Sequence, residues 1–227
     1  MTNDMLSSIG IHNSSVKSIA NIPNKTYSYE VEITNDDVQA YISDILEAND
    51  GGMELTDEFV LTHTEYKSVN EFINYIETYV KMSKQHQNYL NHKKEFLNYL
   101  VKKSVFNIDE NEIVEYALTI IESYETDAKV LNMSLEDYYN SMLMSEDDFF
   151  NKCYSDAEYE IKTYLIVGAL SEKYHISITE DDLNIEFKKY GYDEDYLEKN
   201  KDTIKYVKYH CLEEKTLRYL LYGTIPN

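Results

Sequence analysis

The sequence predicts a mainly α-helical protein, and three observations carry that prediction: few chain breakers, a recurring helix-start signal, and apolar residues at helical spacing. The prolines are Pro23 and Pro226 alone, and between residues 53 and 222 the only glycines are Gly168 and Gly191. Hairpins rely on Gly, Asn and Pro turns, so a stretch with so few breakers is poor in strands. The start signal is a Ser or Thr followed three residues later by an acid. The two side chains satisfy orphan amides reciprocally, and the acid favours the positive helix end. It occurs at Ser68/Glu71, Ser134/Asp137, Ser145/Asp148 and Thr179/Asp182, with Asp109/Glu112 as a variant.

Residues 1–26 are Ser/Asn-rich and read as an irregular or extended lead-in without an assigned role. Residues 27–33 alternate and are expected to form one short strand. A helix follows over 35–48, capped by Thr34 or Asn35, with Val38, Tyr41, Ile42 and Ile45 on one face. Gly51-Gly52 is the clearest turn and divides a segment 1–52 from a domain 53–227. A long helix over 69–103 is apolar at Val69, Phe72, Ile73, Ile76 and Val80, then again at Leu90, Leu97 and Val101. The polar run 82–88 between these clusters implies two separate contact regions. Helices then follow over 110–132 (Ile113, Tyr116, Ala117, Ile120, Tyr124, Leu131), 135–143 and 146–174 (Phe150, Tyr154, Ala157, Ile161, Leu165, Gly168). A helix over 180–190 ends at Gly191, suited to a left-handed cap. The last, over 202–222, presents Ile204, Val207, Cys211, Leu212, Leu220 and Leu221.

Asp and Glu number 42 against 21 Lys and Arg, a formal charge of −21. That field repels phosphate backbones, so nucleic acid is not an expected partner. Arg218 is the one arginine, which nearly excludes bidentate phosphate clamps. Cys153 and Cys211 lie in apolar helical contexts and read as small buried hydrophobes. With no apolar run long enough for a membrane and no leader pattern, the expectation is a cytoplasmic protein.

No motif for catalysis stands out. The chain has no Gly-rich phosphate loop, no nucleophile elbow, no HExxH and no Cys-x-x-Cys, so neither a catalytic residue, a metal nor a cofactor is expected. Acidic clusters at 35–37 and 193–195 read as solvated helix starts, and the histidines as surface residues. Tyrosine is the unusual feature, at 23 residues with no tryptophan. Its ring can stay wet and still contact diverse partners, although a biased composition also places tyrosine where Leu or Phe would serve. Met133, Met142 and Met144 add adaptable apolar surface. The candidate contact surface is Ile120, Tyr124 and Leu131, leading into Met133, Tyr138, Tyr139, Met142, Met144, Phe149 and Phe150. Packing of the same residues within the helices is the alternative.

The order of segments resembles the C-terminal domain of the trigger factor family. Leu55-Thr-Asp-Glu-Phe59 followed by Tyr66-Lys-Ser-Val69 is similar to the opening of that domain. Asn132-Met-Ser-Leu-Glu-Asp-Tyr138 and Met144-Ser-Glu-Asp-Asp-Phe149 resemble its tandem motifs at an arm tip. The stretch from Ile166 to Thr179-Glu-Asp-Asp-Leu183, then Lys189-Tyr-Gly-Tyr192 and Glu214-Lys-Thr-Leu217, completes the order over 53–222. Residues 31–41 look like the segment that precedes the isomerase domain in such proteins and here run on directly into the C-terminal domain, so the isomerase domain and the ribosome-docking GFRxGxxP loop are expected to be missing. The resemblance implies an elongated helical body with two projecting arms, as in SurA-type chaperones. It implies an ATP-independent holdase for unfolded or nascent polypeptides, not an enzyme, with ribosome docking disfavoured. The alternative is a binding or assembly module for one folded partner, or for itself as a homodimer.

Overall fold

The computed structural model describes residues 2–23, 25–49 and 54–223. In chain order the elements are α1 (Thr2–Ser8), β1 (Ser15–Ser18), α2 (Asn35–Ala48), α3 (Asp57–His63), α4 (Val69–Lys103), β2 (Val105–Asn107), α5 (Glu110–Val130), α6 (Leu135–Ser141), α7 (Glu146–Lys173), α8 (Glu180–Lys189), α9 (Glu194–Lys199) and α10 (Lys201–Tyr222). The class is the mainly helical one expected from the sequence. The Gly51-Gly52 turn lies outside the described residues. The chain sorts into two compact units, Lys25–Glu95 and Met1–Asn24 with Phe96–Asn227.

The smaller unit is built from α2, α3 and the first part of α4. Thr34 caps α2 reciprocally: its hydroxyl accepts from the Asp37 amide, and the Asp37 carboxylate accepts from the Thr34 amide at 2.7 Å. The Lys84 ammonium, 2.6 Å away, does most to hold the Asp37 carboxyl down at about 2, and the Thr34 bonds add to it. Thr56 caps α3 by accepting from Phe59 at 3.1 Å, and Asp57 accepts from the Val69 amide at 2.7 Å, covering an orphan donor of α4. The helices so started bury Val38, Ile42, Phe59, Val60, Phe72, Ile76 and Val80 in one core. A row of rings, Tyr66, Phe72, Tyr75, Tyr79 and Tyr41, has successive centroids between 4.9 and 6.4 Å apart. Along α4 no residue between Val80 and Tyr89 is buried, matching the polar run read there. Beyond it the buried positions are Tyr89, Phe96, Leu97 and Leu100, whereas Leu90 is exposed.

The strand expected at 27–33 is absent, and those residues are irregular. An alternating segment needs an adjacent edge to pair with. The paired strand is β1 instead, inside the lead-in, running antiparallel to β2 with Val16 opposite Phe106. The lead-in is thus an integral part of the larger unit. α1 packs on α7 and α10, and Met5, Ile9 and Ile11 are buried.

Glu112 fastens this lead-in. Its carboxylate accepts the amides of His12 and Asn13, each at 2.6 Å, and of Ser14 at 3.0 Å, while the Ser14 hydroxyl accepts from Asp109 N–H at 2.9 Å. Burial pushes the Glu112 carboxyl up, but these hydrogen bonds outweigh it and leave the group below its ordinary range. The helix start read at Asp109/Glu112 is present, with Asp109 capping through the Asn111 amide. Glu112 serves the N-terminal turn rather than its own cap.

α7 is the central helix of this unit, contacted by α1, β1, α5, α6 and α10. Phe149, Cys153, Ala157, Ile161 and Leu165 recur every fourth residue along its buried side. The sequence reading placed Phe150 and Tyr154 on that side. The structure turns the first two turns of α7 by one residue, so Phe149 and Cys153 are buried while Phe150 and Tyr154 face out. Both cysteines are buried and free, as expected, and burial raises both thiols, Cys211 to about 11.

Candidate functional site: the α5–α6–α7 tip

The tip is made by two copies of one local device. At the end of α5, Asn132 takes φ 56°, the Asn132 amide bonds Lys129 O at 3.0 Å and the Met133 amide bonds Ala128 O at 2.9 Å. At the end of α6, Leu143 takes φ 59°, the Leu143 amide bonds Asn140 O at 2.9 Å and the Met144 amide bonds Tyr139 O at 3.1 Å. Each is a Schellman ending. In each, the methionine is followed at once by a serine that caps the next helix: Ser134 accepts from Asp137 and Ser145 from Asp148. The repeated Met-Ser with an acid three residues on therefore encodes a stop and a restart, twice, within about 13 residues of chain.

Inside the tip, Phe149 is fully buried. Its ring lies 5.3 Å from Tyr124, edge-on, and 5.3 Å from Tyr139, stacked, and Ile120, Ile121 and Leu135 pack on the same cluster. Tyr124 and Tyr138 lie 6.0 Å apart. Burial, then Glu136 and Glu146, raises the Tyr139 hydroxyl.

The ten sequence-picked residues are brought together here but divide by depth. Tyr139 and Phe149 form the interior, so they support the tip rather than cover it. Ile120, Tyr124, Met133, Tyr138 and Met144 are half-buried, and Leu131, Met142 and Phe150 are exposed. Two residues that the reading missed have the most open large apolar side chains among the described residues: Leu143 at 96% exposure and Val130 at 76%. Their signal was weak, since each sits next to a picked residue at a helix end where helical periodicity stops.

Leu143 combines two costs. A non-glycine residue at positive φ is strained by about 1 kcal/mol, and its apolar side chain is left in water. The two helices that flank this turn both open with acids: Glu136 and Asp137 in the first turn of α6, and Glu146, Asp147 and Asp148 in that of α7. The arrangement offers exposed apolar contact beside helices that open with acids, which suits binding.

Elsewhere, His210, Glu213 and Glu214 on α10 bring their ligand atoms within 4.8 Å of one another, but the Arg218 guanidinium lies 3.3 Å from Glu214 and supplies a cation there. Among the described residues no helix is long and apolar enough to cross a membrane.

A two-unit, mainly helical protein with a doubly capped apolar tip is the class that this geometry defines. The family description "Bacterial trigger factor protein (TF) C-terminus" matches residues 68–222, and the chain belongs to that family. The match begins at Ser68, the residue whose hydroxyl accepts from Glu71 at the start of α4. A trigger factor from Finegoldia magna (strain ATCC 29328 / DSM 20472 / WAL 2508) is 22% identical over 179 residues, covering 75% of this chain and 41% of that protein. The chain thus spans well under half the length of this curated relative. No solved structure matches it.

Proposed function

We propose that the protein is an ATP-independent chaperone that holds unfolded or nascent polypeptides, with the α5–α6–α7 tip as one of its gripping surfaces. Family membership supports the chaperone class. The observation that carries the tip is Leu143, kept in a strained backbone conformation with its side chain almost wholly in water. Strain of this kind persists where something other than stability selects it. Met142, Leu131 and Phe150 extend the apolar surface, and the acids that open α6 and α7 favour solubility. Many weak apolar contacts give broad, modest affinity. Chemistry on the client is not part of this reading, and the cytoplasm is the compartment that fits it.

The test exploits the strain. Leu143→Gly removes the apolar anchor and relieves positive φ, so it should raise unfolding stability by about 0.5–1 kcal/mol while reducing suppression of aggregation of a chemically unfolded enzyme. Suppression undiminished in L143G and in the L131S/F150S pair would move the site elsewhere. No suppression by the parent protein, with one stoichiometric folded partner captured instead, would replace the holdase by an assembly module.

A further inference from the structure

We propose that a slot in the larger unit receives the side chain of a lysine carried by a bound polypeptide. The slot encloses about 160 Å³, below the roughly 300 Å³ at which small-molecule pockets begin. At about 30 Å³ per water that is room for roughly five water-sized groups, the length of four methylenes and an ammonium. Ile9 and Ile11, from the turn after α1, and Ile161 of α7 supply apolar walls, and Glu112, Glu115, Tyr116 and Thr119 line it from one face of α5. Tyr206 of α10 completes the lining, which contains no basic residue.

The polar groups of the slot are already sorted. Glu112 is committed to the amides of residues 12–14, and the Tyr116 hydroxyl is paired with Tyr164 at 2.7 Å. The Thr119 hydroxyl donates to Tyr116 O at 2.8 Å, which leaves its oxygen able to accept. Glu115 is exposed at the rim. An entering group therefore meets aliphatic walls, two tyrosine rings, one carboxylate and one hydroxyl acceptor, with no basic side chain to serve an anion. An aliphatic stem ending in an ammonium matches that order: the stem lies on the isoleucines, and the head meets Glu115, Thr119 and the ring faces. The whole-chain charge of −21 favours the same sign of ligand.

The polypeptide source rests on the chaperone reading, but the slot chemistry does not, and the test separates them. Amide NMR shifts of the full chain are followed on adding N-acetyl-lysine methylamide, its norleucine counterpart and putrescine. The lysine probe should saturate shifts at Ile9, Gly10, Ile11 and Thr119, with norleucine about tenfold weaker, and Glu115→Gln should weaken the lysine probe about threefold. Equal binding of norleucine, or no saturable shifts at these residues, would overturn the slot. Putrescine binding far more tightly than the lysine probe would overturn the lysine source. Lysine binding that persists in a protein unable to hold unfolded clients would sink the chaperone reading and spare the slot.

Discussion

Glu112 occupies the third position of α5, where a glutamate ordinarily closes its own helix cap. Here it receives three amides from residues 12–14. Replacing it by alanine strands those donors, and we expect a loss of about 2–3 kcal/mol in urea unfolding. Because its folded pKa is lowered, its contribution is complete above the ordinary glutamate range and is lost as pH falls through the depressed folded value. The E112Q variant should therefore show a shallower acid dependence of stability than the parent. Asp37 obeys the same sign: its carboxyl should titrate near 2 by NMR, and Lys84→Met should move that midpoint up. Exposure limits what this pair adds to stability. The sequence reading located a helix start at Asp109/Glu112 correctly but could not see the partner. The cap is a local pattern, whereas the amides that Glu112 binds lie about 100 residues away, where no spacing rule reaches.

Helix boundaries were legible because their causes are local. Ser68/Glu71, Ser134/Asp137, Ser145/Asp148 and Thr179/Asp182 all cap as their spacing implied, Thr34 of the two candidates caps α2, and Gly191 takes the left-handed angle expected of it. What spacing could not settle was phase. Residues 149 and 153, or 150 and 154, both continue the apolar stripe of α7, and the choice depends on which ring fits between Tyr124 and Tyr139. Phe149 won. We therefore expect Phe149→Ala to cost about 3–5 kcal/mol and Phe150→Ala much less, measured by thermal unfolding. Helix endings carry a further contrast: His175 takes φ 55° with its amide on Glu172 O, so His175→Gly should stabilise by about 0.5–1 kcal/mol. The candidate site was legible as a region. Its most exposed residue, Leu143, was not, because left-handed backbone in leucine follows no sequence preference.

Across the whole molecule, the acidic excess should oppose compaction through self-repulsion. Raising ionic strength from about 10 to 150 mM shortens the screening length from roughly 30 to 8 Å. The expected result is a higher unfolding midpoint by calorimetry, despite weakening of surface pairs such as Lys25–Glu95. A midpoint that falls with salt would show that attractive pairs outweigh the excess. The division into two compact units was not read from the sequence at this place. The lead-in 1–24 groups with the chain beyond residue 95 through β1–β2, α1 and the Glu112 bonds, all of them long-range.

The clasp between residues 12–14 and Glu112 also sets a delay during synthesis. Residues 12–18 emerge from the ribosome with no strand to join and no carboxylate to receive their amides until about 100 more have followed. At roughly 5–20 residues per second that is a wait on the order of 5–20 s. For those seconds Met5, Ile9 and Ile11, which the finished fold buries, stay uncovered.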